Sequence, residues 1–385
     1  MARVVLLCEP RLETALGLLA AGAQNFLRPF ALSAAKAEHR RFREALEARG
    51  ARAIDLREAL TAGCESDPTA LARLRGWARS AIEFAWHGRV TAEQRQRALE
   101  SADHALRGFS PEMLAEIVLL RPIVRLALNP HALDDTTALT AAFELRPATN
   151  SYYMRDPLIT SAAGCTIGRL RLAVRQPEND IAAHALEQLG IQPVCRVHAP
   201  GTLEGGDFIP CGDFALQGQG LLTNAAGVAQ CLAAGAYGKV EVGVVRDSRE
   251  QMDEMHLDSY FVVFDRDLCA LCENRFGVDE PAVDVYEPRG GDAHVEYVLS
   301  RTVGFTVYLE SKGMRLLRFS VQERDAFAPN GLLTGPRRYL CPQQSGRAWH
   351  EMLSIDDVDV EPLDFRELTG GYGGPHCSSQ VLVRK

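Results

Sequence analysis

Cys377 ends a loop whose preceding seven residues, Gly370-Gly371-Tyr372-Gly373-Gly374-Pro375-His376, hold four glycines and a proline. Glycine reaches backbone angles closed to other residues and lets a ligand approach the main chain. Such a loop can present a thiol at the floor of a tight site, or it can be a surface turn with an incidental cysteine. Three other clusters carry groups that could work with a thiol. In Met255-His256-Leu257-Asp258 a strand reading alternates the side chains, so that His256, Asp258 and Tyr260 share a face. The plainer reading is a structural histidine beside an aspartate. Glu204-Gly205-Gly206-Asp207 is either a turn with capping acids or a carboxylate held where the backbone leaves room. In Arg155-Asp156-Pro157 the aspartate either caps a turn or binds a cation.

Taken together these groups suit one chemistry. A guanidinium is planar and cationic, and its forked donors match in-plane carboxylates such as Asp156, Asp258 and Glu204. Its central carbon calls for a strong nucleophile, best a thiolate, which Cys377 supplies. The departing amine needs a proton, best given by a histidine, here His256.

These residues must be positioned by a scaffold. Val4 to Cys8 is a short apolar run that fits a buried strand. Residues 33–48 read as a helix closed by Gly50, and Ala51 to Leu56 as a return strand. Residues 66–145 are rich in alanine, leucine, arginine and glutamate, with few turn signals, and read as a helical insertion of four or five helices. Ser110-Pro111-Glu112 offers an N-cap with proline in the first turn. Further helices are expected from Pro177 to Gly190 and from Asn224 to about Gly235. The polar clusters fall at 156, 204, 258, 330 and 377, the fourth being Pro329-Asn330-Gly331. Recurrence at such spacing suggests repeated supersecondary units around one centre, in the mixed α/β class.

Composition narrows the field. The chain has 385 residues, 46% hydrophobic and 24% charged, as in a soluble globular protein. A net charge of −8 argues against nucleic acid or an anionic membrane as the main partner. Ten cysteines are scattered through the chain, unlike a compact disulfide framework. Cys269-Ala270-Leu271-Cys272 has zinc-like spacing but no second pair, and reads as buried strand cysteines. The N-terminal apolar run is too short for a signal peptide, and no run approaches a membrane span. The expectation is a cytoplasmic protein with reduced thiols and a small-molecule partner; a homo-oligomer is left open.

In order and spacing, Asn150-Ser151-Tyr152-Tyr153-Met154-Arg155-Asp156-Pro157, Glu204-Gly205-Gly206-Asp207, Met255-His256-Leu257-Asp258 and Gly373-Gly374-Pro375-His376-Cys377 resemble the arginine deiminases. The resemblance spans nearly the whole chain. It implies a pentein fold, a five-fold pseudosymmetric α/β propeller of ββαβ units, formed by residues 1–65 and 146–385, with 66–145 as the helical insertion. It implies Cys377 as nucleophile and His256 as general acid, then base. Asp156 and Asp258 would hold the guanidinium, Glu204 would assist, and Tyr153 would pack near the planar group. Asn330 would bind substrate, and Arg175 would take its α-carboxylate. The course implied is ammonia loss through an S-alkylthiouronium intermediate to a ureido product, without metal or organic cofactor.

The other end of the implied site departs from the pattern. Two further carboxylate-binding arginines of that family fall on Leu222 and Tyr372, and its acidic segment falls on Phe26-Leu27-Arg28-Pro29-Phe30. Two lost charge-assisted contacts, at ~1.5–3 kcal/mol each, would weaken free arginine binding. Arg28, Arg289 or Arg301 could substitute; otherwise the substrate is another guanidino compound and free arginine turns over poorly. An amidinotransferase, passing the amidino group to an amine, would use the same nucleophile and base. An idle guanidino-binding protein would need only the carboxylates.

Overall fold

The computed structural model describes residues 1–24, 26–134, 138–291 and 295–384. Its first strand, Ala2–Leu7, lies between the parallel strand Arg52–Asp55 and the antiparallel strand Gln380–Arg384, so the two ends of the chain share a sheet. The parallel neighbour is reached through the helix Leu32–Ala48, after which Gly50 turns the chain at φ +81°. A parallel pairing needs such a crossover, because a two-residue hairpin cannot make it.

The same unit recurs four times. Cys165–Ile167 lies between Leu158–Thr160, antiparallel, and Cys195–Arg196, parallel, with the helix Pro177–Gln188 as crossover. Phe214–Gln219 is flanked by Phe208–Pro210 and Glu241–Arg246, with the helix Ala225–Ala233 between. Leu268–Cys272 is flanked by Phe261–Asp265 and Arg315–Phe319, with the helix Phe305–Ser311. Arg338–Pro342 is flanked by Leu332–Gly335 and Asp359–Leu363, with the helix Arg347–Ile355. The third unit is widened by a hairpin, Ala282–Arg289 and Glu296–Gly304.

The polar clusters occupy one place in this unit. Asp156, Glu204 to Asp207, His256 to Asp258, Asn330 and Cys377 each stand just before the antiparallel outer strand of a sheet. Similar topology therefore puts five dispersed segments at equivalent turns.

Two expectations change. Among the described residues, 66–145 carry three helices, Pro68–Ala81, Ala92–Gly108 and Pro111–Leu120, and also a sheet of Glu83–His87, Pro122–Leu128 and Leu139–Leu145. The last strand, Leu-Thr-Ala-Ala-Phe-Glu-Leu, is largely exposed and lacks apolar alternation, so pairing with its neighbour overrides its composition. The helices of this segment pack Leu74, Leu106, Leu114 and Val118 into one core with Leu6, Ile54, Leu158 and Ile181. Ser110 caps the third helix, its hydroxyl accepting the Met113 N–H, with Pro111 following. The second change is at His256: residues Leu257–Ser259 form a single 3-10 turn, and the strand begins only at Phe261.

The largest core gathers Phe261, Phe264, Phe305, Tyr339 and Trp349 between the third, fourth and fifth units. Cys269 and Cys272 are both fully buried in the strand Leu268–Cys272, as expected of strand cysteines.

Candidate active site

The thiol loop is held by two side chains from distant turns. The Asn330 carboxamide oxygen accepts the N–H groups of Gly374 at 2.7 Å and Cys377 at 3.2 Å, and its carbonyl accepts the His376 N–H at 2.9 Å. The Tyr153 hydroxyl donates to the carbonyl of Leu368 at 2.7 Å and stands 3.2 Å from that of Gly373. Gly373 is required here by space: a Cβ would lie 2.6 Å from that of Cys377 and 3.0 Å from its Sγ. Tyr372, at φ +86°, makes the turn that leads into it.

His256 is buried against Glu204, its Nε2 donating to Oε2 at 3.1 Å. The other carboxylate oxygen of Glu204 accepts the Arg171 N–H at 2.9 Å, which fixes its orientation. Gly206 lets the ring come in, since a Cβ there would meet Nδ1 at 2.6 Å. Burial alone would lower the basicity of His256. The hydrogen bond to Glu204 and the charges of Asp207, Glu204 and Asp156 outweigh it and raise the pKa to about 10. His256 is therefore an imidazolium at neutral pH.

Asp258 lies against the thiol, with Oδ2 3.6 Å from Cys377 Sγ. The same oxygen accepts a hydrogen bond from His376 Nδ1 at 2.7 Å. Burial opposes its charge, but the His376 hydrogen bond keeps Asp258 below the usual carboxylate range. Burial, then the charge of Arg155, pushes His376 itself down to about 4, so it donates as a neutral ring. Burial first, and the charges of Asp258 and Asp156 next, hold the Cys377 thiol well above its ordinary value.

Asp156 is buried and pushed up, chiefly by that burial. Its Oδ2 accepts from Arg175 Nη1 at 2.8 Å, while its Oδ1 has no partner among the described residues. Arg175 also binds Glu178 at 2.7 Å. The sequence reasoning did not single out Asp207, which accepts the Leu257 N–H at 2.9 Å and is raised to about 6 by burial. Its signal was already present in the Glu-Gly-Gly-Asp cluster.

A cavity of about 180 Å³ opens onto these groups. Cys377, His256, Asp258 and Asn330 line it. Asp156, Glu204, Tyr153 and Arg175 are not in its wall. Met255 and Ser259 line it along with His256 and Asp258, as a 3-10 turn allows and an alternating strand does not. Tyr372 is in the wall, edge-to-face with Phe327 at 6.0 Å, whereas Leu222 is buried elsewhere. Arg28, Arg289 and Arg301 do not reach it; Arg301 instead lies 3.8 Å from Glu287 on the hairpin. The arginine that does line it is Arg324, six residues before Asn330 and not picked out from sequence. Among the described residues no group of three or more His, Cys, Asp or Glu is arranged to hold a metal ion.

Known proteins resemble this chain in sequence and in fold. The family model for arginine deiminase matches residues 25–384. The arginine deiminase of Halobacterium salinarum is 28% identical, over 66% of this chain and 68% of its own. That of Lactococcus lactis subsp. cremoris is 24% identical, over 68% of this chain and 67% of its own. A structure of dimethylarginine dimethylaminohydrolase from Pseudomonas aeruginosa, complexed with citrulline, superposes with a TM-score of 0.56 at 15% identity. That match covers 98% of each chain and bears on the fold, which is mixed α/β in both.

Proposed function

The chain belongs to the arginine deiminase family, and from that membership we propose that it is a hydrolase of guanidino C–N bonds working through a covalent adduct on Cys377. The observation that carries the reading is the meeting of Cys377, Asp258 and the His256–Glu204 pair at one cavity floor. Five sheets with one strand pattern, each offering its residues just before an outer strand, support five units around a pseudo-fivefold axis.

The charge balance suggests how the thiol becomes reactive. Asp258 and Asp156 help keep Cys377 protonated while the cavity is empty of cation. A guanidinium against Asp258 offsets that charge, so its arrival favours the thiolate it must meet, the thiol proton passing to solvent. The carboxylate of Asp258 is the acceptor in the cavity wall for its N–H groups; Asp156, whose buried Oδ1 has no partner among the described residues, is outside that wall. Cys377 Sγ then bonds to the guanidinium carbon. One C–N bond breaks as the imidazolium of His256 gives its proton to the leaving nitrogen, which departs as ammonia. The S-alkylthiouronium left behind is attacked by water. His256, now neutral, takes one of the water's protons; as the C–S bond breaks the second passes to solvent, and a neutral ureido product leaves with the thiolate regenerated. Glu204 holds the ring and balances its charge; Asn330 and Tyr153 hold the loop.

The test is to incubate the protein with a panel of guanidino compounds, measuring ammonia, ureido product and the intact mass of the chain. An amidino-type adduct on Cys377, absent in Cys377→Ser, with ammonia released in plain buffer, is the expected result. Turnover that appears only when an amine is added would replace hydrolysis by amidino transfer. Silence from every compound would sink the reading.

A further inference from the structure

Resting on that reading of the cavity floor, we propose that the substrate is an alkylguanidine whose far end carries no carboxylate. Beyond the thiol the wall has an apolar face of Leu27, Met255, Phe327, Pro329 and Tyr372, and a charged one of Asp253, Arg324 and Asp325. A carboxylate would need a free cation there, and among the described residues Arg324 is the one arginine of the wall. It is not free. Its Nη1 donates to Glu254 Oε1 at 2.6 Å, its Nη2 to Asp325 Oδ1 at 2.8 Å and its Nε to the same oxygen at 3.0 Å, while Nη2 forms an ion pair with Asp253 Oδ2 at 2.9 Å. The guanidinium has five N–H groups, so most of its fork is spoken for. The side chains of Asp253 and Asp325 are about half exposed and also line the cavity, so an incoming carboxylate would meet two like charges before the cation.

The neighbourhood does not relieve this. Glu254 is shared with Arg275 at 2.6 Å, and Arg275 is committed in turn to Asp247 at 2.7 Å. Arg324 and Arg275 are thus both matched by carboxylates. An uncharged tail lies against the apolar wall without conflict, and a terminal ammonium faces Asp253 and Asp325 favourably. A carboxylate opposed by two like charges, at a mouth whose arginine is already paired, is the tail this wall rejects.

The experiment compares kcat/KM for ammonia release from n-butylguanidine, 4-aminobutylguanidine, arginine amide and arginine. The three carboxylate-free probes should exceed arginine by at least 100-fold. Arginine equal to or better than all three overturns this inference while leaving the hydrolase reading intact. No turnover and no Cys377 adduct with any probe overturns both. A second measurement removes the opposing charges. In the double variant Asp253→Asn, Asp325→Asn, the ratio of arginine to n-butylguanidine turnover should rise at least tenfold. Because the ratio is taken within one preparation, a loss of active protein does not affect it. A ratio that stays level or falls overturns the assignment of those carboxylates.

Discussion

The floor and the mouth of the cavity are built differently. At the floor, Cys377, His256, Asp258 and Asn330 come from turns that hold equivalent places in three repeated units, and hydrogen bonds fix each side chain. At the mouth, Leu27, Phe327, Tyr372 and Arg324 come from connecting loops and a short helix outside that pattern. The floor is a constellation the fold repeats; the mouth is whatever the loops bring. A reaction type can therefore persist in this scaffold while the compound it acts on changes, since loops accept substitution that the strand ends do not.

The largest effect that would break this contrast is at the thiol. Cys377→Ser should lower ammonia release by at least about 10,000-fold, because a unit of nucleophile and acid fails when its nucleophile fails. Activity within tenfold of the parent would place the reactive group elsewhere. Next comes His256→Gln, which keeps a polar side chain toward Glu204 but cannot carry a titrating proton. A loss of about 100- to 10,000-fold in kcat is expected, with KM little moved. A change confined to KM would make His256 a binding residue and blur the distinction between floor and mouth. Tyr372→Ala tests the other side. Removing an aromatic wall should raise KM by about tenfold, roughly 1.4 kcal/mol, and leave kcat nearly constant. A large fall in kcat instead would tie the mouth to the chemistry.

The same contrast governs what could be read from the sequence. His256, Asp258, Glu204 and Cys377 announced themselves because each sits in a short polar cluster ahead of an apolar run, and the fold converts that position into convergence. The route by which His256 and Asp258 share the site was misjudged: a 3-10 turn, not strand alternation, brings them together. Arg175 illustrates a local signal overlooked. It stands three residues before Glu178 at the start of the helix Pro177–Gln188, the spacing of a helical ion pair, and it binds that residue and Asp156 without reaching the cavity wall. Arg324 could not have been assigned a state. The residues that engage it include Glu254, 70 positions earlier, and only tertiary structure brings them together. The strand Leu139–Leu145 was hidden because alanine, leucine and glutamate fill most of the positions that pairing with Pro122–Leu128 makes extended.

The smallest effect, and the sharpest probe of the floor, is in its protons. Two buried histidines flank the thiol and are shifted in opposite directions. His256 is raised to about 10 because the Glu204 hydrogen bond and neighbouring carboxylates overcome burial; His376 is lowered to about 4 because burial and Arg155 overcome Asp258. An unfolded histidine titrates near about 6.5. The protonated His256 pair therefore contributes stability in full below that value and loses it as pH rises from 6.5 toward 10. The neutral His376 contributes in full above 6.5 and loses it as pH falls toward 4. Unfolding free energies of the parent and of His256→Gln should converge as pH rises to 10, while those of the parent and His376→Gln should converge as pH falls to 4. Side-chain nitrogen spectra at pH 7 should show one ring charged and the other neutral. Two neutral rings at that pH would remove the proton that His256 must give to the leaving nitrogen, and with it the chemical identity of the floor.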